Sequence, residues 1–167
     1  MQEIIEEIVE KIDIARKDKL TRLLNDCIKV SKDTQTSTYA DHDNVLFKLD
    51  LFFPGFEKIS NDITKDKRLP IGVQALYTIF WALGLEIDQE EAFILYHLRN
   101  QGKFRLKEEK LKKDLKGMWG QHKEFALEDQ DFSHALKSMM RMGIIDYRKG
   151  NLSLKKGVLI TYRRERK

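Results

Sequence analysis

Apolar residues in the first thirty positions fall at Ile5, Ile8, Ile12 and Ala15, then at Leu20, Leu23, Cys27 and Val30. Steps of three and four put each set on one helical face, and no Gly or Pro interrupts the stretch. The two sets are out of step by one residue across Arg16-Lys17-Asp18-Lys19, which predicts a bend or break there. Ser31 to Asn44 is polar and aperiodic, and reads as a loop. Val45 to Phe53 is ambiguous: Phe47, Leu49, Leu51 and Phe53 alternate like a strand, while Leu46, Leu49 and Phe53 also keep helical spacing. We read it as a helix, closed by Pro54-Gly55 and followed by a short helix through Phe56, Ile59 and Ile63. Pro70 suits a first helical turn, and Leu76, Ile79, Phe80 and Leu83 carry that helix to a stop at Gly84, with Tyr77 and Trp81 widening its apolar, core-facing surface.

The second half repeats the helical period three times and then changes it. Asp88 with Glu91 forms a capping box for a helix whose inner face is Ala92, Phe93, Leu95, Tyr96 and Leu98, and Gly102 closes it. A second helix runs from about Leu106 to Met118, with Leu106, Leu111, Leu115 and Met118 inward and five lysines largely outward. A third runs from about Asp129 to Met142, burying Phe132, Ala135, Leu136 and Met139, and stops at Gly143. From Ile144 the period is two: Ile144 to Arg148, a Lys149-Gly150-Asn151 turn, Leu152 to Leu154, and Val158 to Tyr162, a β-hairpin or ribbon. The fold class that follows is mainly α with a small C-terminal β-hairpin.

Charge sharpens the division. The 167 residues carry a net charge of +4, but residues 1–87 hold 12 Lys and Arg against 15 Asp and Glu, and residues 88–167 hold 19 against 12. A helical subdomain over 1–87, serving packing or dimerisation, and a basic domain over 88–167 are the predicted organisation. Such a basic half suits a polyanion. With 41% hydrophobic and 35% charged residues the composition is that of a globular protein, and not of a disordered one. The lone Cys27 excludes an internal disulfide and multi-thiolate zinc sites, the first residues do not form a secretory signal, and the apolar window Leu69 to Ile87 is too interrupted for a membrane span. A reducing cytoplasm is the expected location.

The run Ala135-Leu136-Lys137-Ser138-Met139-Met140-Arg141-Met142-Gly143-Ile144-Ile145-Asp146-Tyr147, following two helices and leading into a hairpin, resembles the junction between recognition helix and wing of the winged-helix superfamily. The resemblance covers residues 88–162. It implies a winged-helix domain on which the helical subdomain packs, and duplex DNA as partner. The third helix would lie in the major groove with Gln130, Ser133, His134, Lys137, Ser138 and Arg141 outward. The wing would bring Arg148, Lys149, Lys155 and Lys156 to the backbone, with Arg163, Arg164, Arg166 and Lys167 extending the basic surface. Two features depart from the family pattern: Gly117 to Glu128 is longer than a tight helix-helix turn, and Glu124, Glu128, Asp129 and Asp131 crowd the start of the third helix.

Catalytic chemistry has no visible support. His42, His97, His122 and His134 are scattered without metal-ligand pairing, Cys27 occupies an apolar helical position, and no glycine-rich phosphate loop occurs. No cofactor, metal or enzymatic role is assigned. The leading expectation is a DNA-binding regulator, transcriptional or of a mobile element. The alternative is a winged-helix protein-interaction module, or an accessory domain of a larger nucleic-acid-processing assembly such as a helicase. A homodimer or protein partner through the N-terminal helices fits either.

Overall fold

A computed structural model of the chain describes residues 1–31, 42–99 and 105–163, with the backbone alone at 31, 42, 43 and 163. The chain divides into two compact units, Met1–Glu86 with Lys156–Lys167, and Ile87–Lys155. The second unit therefore ends before the last strand, and the basic domain expected to run to residue 167 stops at Lys155.

The first unit opens with α1 (Gln2–Lys11) and α2 (Lys17–Cys27); the expected break is present but lies earlier, over residues 12–16, and Lys17, Asp18 and Lys19 already belong to α2. Ile12 ends α1 by turning to extended backbone, and its buried side chain, with that of Ile14, lines the connection. Leu24, not Leu23, joins Leu20 and Cys27 on the buried face of α2. Val30 is not helical: β1 (Ile28–Ser31) follows α2 directly, and Val30 is left exposed.

The ambiguous stretch is both of its readings in succession. β2 (His42–Lys48) buries Val45 and Phe47, and α3 (Leu49–Ile59) buries Leu49, Phe52, Phe53, Phe56 and Ile59. The period changes at Leu49, a residue common to both patterns, which is why one helix could not be told from a strand followed by a helix. Pro54 does not end α3 but sits in its sixth position, and Gly55 admits α2, since a Cβ there would lie 2.3 Å from Leu23 Cδ1. The Phe47 ring meets Phe52 at 5.5 Å and Phe80 of α4 (Lys65–Ala82) at 5.4 Å, edge to face in both pairs, at the heart of this core. Pro70 too lies in the sixth position of its helix. Gly84 (φ +87°) closes α4 as predicted: the Leu85 N–H donates to the Phe80 carbonyl and the Gly84 N–H to that of Trp81, the paired bonds of a Schellman stop.

The last strand, β6 (Gly157–Arg163), pairs antiparallel with β2, giving a three-stranded sheet in the order β1-β2-β6. Val158 stands opposite Phe47 and Ile160 opposite Val45, all four buried. Two expectations are corrected here: Val158 to Tyr162 does not extend the C-terminal hairpin, and the N-terminal subdomain is not purely helical.

The second unit is built around α5 (Gln89–Arg99), buried continuously from Glu91 to Leu98. Its capping box forms: the Glu91 N–H donates to Asp88 Oδ1 at 2.7 Å, and the Asp88 N–H donates to Glu91 Oε1 at 3.4 Å. The expected stop at Gly102 falls outside the described residues. β3 (Arg105–Lys107) then precedes α6 (Glu108–Met118), so Leu106, expected as the first inward residue of a helix, instead lies in a strand opposite Leu152. The long connection after α6 holds a single 3-10 turn, Lys123–Phe125, anchored where Phe125 stacks on Phe93 of α5 at 4.8 Å. α7 (Asp129–Arg141) buries the predicted Phe132, Ala135, Leu136 and Met139, and Gly143 (φ +73°) closes it with a second Schellman pair. β4 (Ile145–Arg148) and β5 (Asn151–Leu154) form a hairpin, and the sheet order is β3-β5-β4, antiparallel throughout. The described residues are thus mainly helical, with two small antiparallel sheets.

Candidate nucleic-acid interface

The inward residues of α7 leave the opposite side to solvent, and there Gln130, His134, Lys137 and Arg141 follow one another at helical steps of four, three and four, all exposed. Ser133 and Ser138 are half-buried. Ser138 does not belong to the outward stripe: its hydroxyl interacts with the Glu91 carboxyl of α5. Glu91 is 6% exposed, and burial together with the neighbouring Asp88 pushes its carboxyl up to about 7.

The acidic start of α7 has a local explanation. Asp129 Oδ1 accepts from both Lys112 Nζ and Lys116 Nζ of α6, each at 3.0 Å, and these two ammonium groups hold its carboxyl below the ordinary range. The charge of Asp129 is thereby countered on the spot, and two of the lysines predicted to make the outer face of α6 basic are spent on it, while Glu128 and Asp131 stay exposed at the same helix end.

Beyond Gly143 the hairpin turns in two residues. Lys149 (φ 49°) and Gly150 (φ 78°) both occupy the left-handed region, the signature of a type I′ turn, and Arg148 pairs with Asn151 across it. The turn also touches α6, since the Glu108 N–H donates to the Gly150 carbonyl at 3.1 Å. Strand alternation sorts the sheet into two faces. Ile145, Tyr147, Leu152, Leu154 and Leu106 share the inner face, and Asp146, Arg148, Asn151, Ser153, Arg105 and Lys107 share the outer one. Arg105, Lys107, Arg148 and Lys149 are exposed, whereas Lys155 Nζ is engaged by Asp146 Oδ2 at 3.1 Å.

Seven of the ten predicted contact residues thus fall in the second unit: His134, Lys137, Ser138, Arg141, Arg148, Lys149 and Lys155. The other three do not join them. Lys156 belongs to the first unit, where its carbonyl accepts from the Asp50 N–H at 3.1 Å. Arg163 ends β6 opposite His42, and Arg164, with Arg166 and Lys167, lies outside the described residues. The physical cause is the pairing of β6 with β2. It also dilutes the charge argument, because Ile87–Lys155 holds 14 Lys and Arg against 11 Asp and Glu, a net of +3.

Sequence reasoning passes over Arg105 and places Lys107 on the outward face of the second helix, whereas both lie in β3. Arg105-Leu106-Lys107 does alternate polar, apolar, polar, but three residues are too few to separate period two from the start of the helix that follows.

Elsewhere, Cys27 is buried, and burial pushes its thiol up to about 12, so it stays protonated and packed, as its helical position suggests. Trp81, expected in the core, is 45% exposed, and with Tyr77 it lines a cleft of about 470 Å³ shared with Glu7 and Lys11 of α1. Among the described residues no three His, Cys, Asp or Glu side chains are grouped to hold a metal, and no helix is long and apolar enough to cross a membrane. Comparison of the chain with protein-family models, curated proteins and solved structures finds no match.

Proposed function

We propose that Ile87–Lys155 is a winged-helix module that binds duplex DNA, with α7 as the recognition helix and the β4-β5 hairpin as a short wing, and that the protein acts as a DNA-binding regulator. The observation that carries this reading is the element order helix, strand, helix, helix, hairpin, in which the first strand closes the sheet as β3-β5-β4. That order leaves α7 with an exposed stripe ending in two cations and a hairpin tip bearing two more. The stripe of Gln130, His134, Lys137 and Arg141 offers the hydrogen-bonding and cationic groups that base edges and phosphates take, and Arg148 and Lys149 suit the sugar-phosphate backbone.

Affinity for duplex DNA is expected to fall with added salt, with a log-log slope near −0.9 per phosphate contacted. Lys137→Ala with Arg141→Ala, and Arg148→Ala with Lys149→Asn, should each weaken binding about tenfold and flatten that slope by roughly two. Asparagine is chosen at 149 because it tolerates the positive φ of the turn. The helix pair should act most on a preferred sequence and the hairpin pair on all sequences alike. Binding that ignores salt, or that survives both double substitutions, overturns the assignment. The modest charge of +3, with Lys112, Lys116 and Lys155 already engaged by carboxylates, favours as second reading a protein-interaction module. That reading predicts no measurable binding to duplex DNA at low salt.

A further inference from the structure

Tyr147 is out of keeping with its row. It shares the inner face of the small sheet with Ile145, Leu152, Leu154 and Leu106, all of them buried, and stands directly opposite Leu152, yet it is 47% exposed. It occupies the last inward position before the two-residue turn, and the next two residues in the chain, Arg148 and Lys149, are exposed cations. A half-exposed tyrosine thus stands on the hairpin stem next to a turn that carries Lys149, while Arg148, its neighbour in the chain, projects from the opposite face of the strand.

We propose that Tyr147 stacks on an unpaired base, and that the nucleic acid taken by this unit is a duplex adjoining single-stranded bases, such as a fork or overhang, in preference to an uninterrupted duplex. The inference rests on the reading of α7 and the hairpin as a DNA-binding surface and names the substrate class of that surface. Inside a duplex every base is already stacked on both faces, so a ring can enter only by separating two of them. At a fork or overhang the first unpaired base has a face to offer, and an aromatic ring gains about as much from any of the four bases. Lys149, in the turn next to Tyr147, then holds the backbone of the unpaired strand while α7 lies along the paired segment.

The experiment measures affinity at one salt concentration for a blunt duplex, the same duplex with a forked end, and the single strand alone, using wild type, Tyr147→Ala and Tyr147→Trp. Wild type should bind the fork at least about fivefold tighter than the blunt duplex, the lower end of what one stacked base contributes. Tyr147→Ala should lose that preference while holding the blunt duplex within about twofold, and Tyr147→Trp should keep the preference. In parallel, 2-aminopurine at the first unpaired position should be quenched on binding wild type, a readout that does not require the alanine variant to fold. Equal affinity for fork and blunt duplex, a single strand bound as tightly as the fork, or unchanged 2-aminopurine emission each overturns the inference while the DNA-binding reading stands. No binding to any of the three DNAs overturns that reading, and the inference with it.

Discussion

Glu91 shows how one carboxyl can serve a helix and burden the fold. Its Oε1 closes the α5 capping box, but the group is buried, Asp88 lies beside it, and Oε2 has no hydrogen-bond partner within normal distance. Burial and the neighbouring carboxylate raise it from 4.5 to about 7. Between those values the folded protein holds a proton that the unfolded chain has released, so stability falls as the pH rises through that window, and the loss is complete above it. His97 works in the opposite direction: burial lowers it, against the pull of Asp114, so it removes stability as the pH falls below its ordinary 6.5. Glu91→Gln isolates the first effect, because glutamine can fill the same capping position without ionising. The variant should be more stable than wild type by about 1 to 3 kcal/mol at pH 8, with the difference shrinking toward pH 4.5. Urea unfolding at both pH values checks this, and a difference that does not vary with pH would show that Glu91 is not protonated in the fold.

Helix ends are legible where a single residue dictates the backbone. Gly84 and Gly143 read as stops, and both sit at positive φ with nothing within 4 Å of the point a Cβ would occupy, so conformation alone selects glycine there. Gly143→Ala should therefore cost about 1 to 2 kcal/mol through backbone strain, with no change in packing. Thermal melts of this variant beside Gly143→Asn, which tolerates the left-handed region better and should lose less, separate strain from loss of contacts; equal losses would contradict the account. The capping box and the buried face of α7 are equally visible, since each is written in residues three or four apart. β3 is not visible, because three residues carry no period, and neither is the change from β2 to α3, because Leu49 satisfies both patterns. Pro54 and Pro70 mislead for a common reason. A proline removes one backbone bond and disturbs the turn before it, and tertiary contacts such as the close approach of Leu23 to Gly55 can carry a helix through that loss.

Across the whole chain, the least legible feature is the partner of the last strand. Val158 to Tyr162 has an unmistakable strand period, but alternation reports which face of a strand is buried and says nothing about which strand lies beside it. An adjacent hairpin is the economical assumption. It places the terminal cations on the wing, where the structure instead assigns Lys156 and Arg163 to the first unit. The candidate site is legible to the extent that it depends on α7 and the hairpin tip, both set by local patterns, and illegible where it depends on a pairing more than a hundred residues apart in sequence. The pairing makes a demand of its own. Truncation after Lys155 removes Val158 and Ile160 from the first core and strips β2 of one of its two neighbours, while leaving every element from α5 to β5 in the chain. Burying those two side chains contributes about 3 to 6 kcal/mol, comparable with the total stability of many small domains. In the truncated protein, amide hydrogen exchange should therefore accelerate by orders of magnitude in β2 and α3, while α5, α7 and β5 keep most of their protection. The hairpin expected from sequence, with Val158 to Tyr162 as its continuation, demands the reverse: exchange would quicken around β4 and β5 and leave β2 untouched, and that outcome would overturn the division of the chain described above.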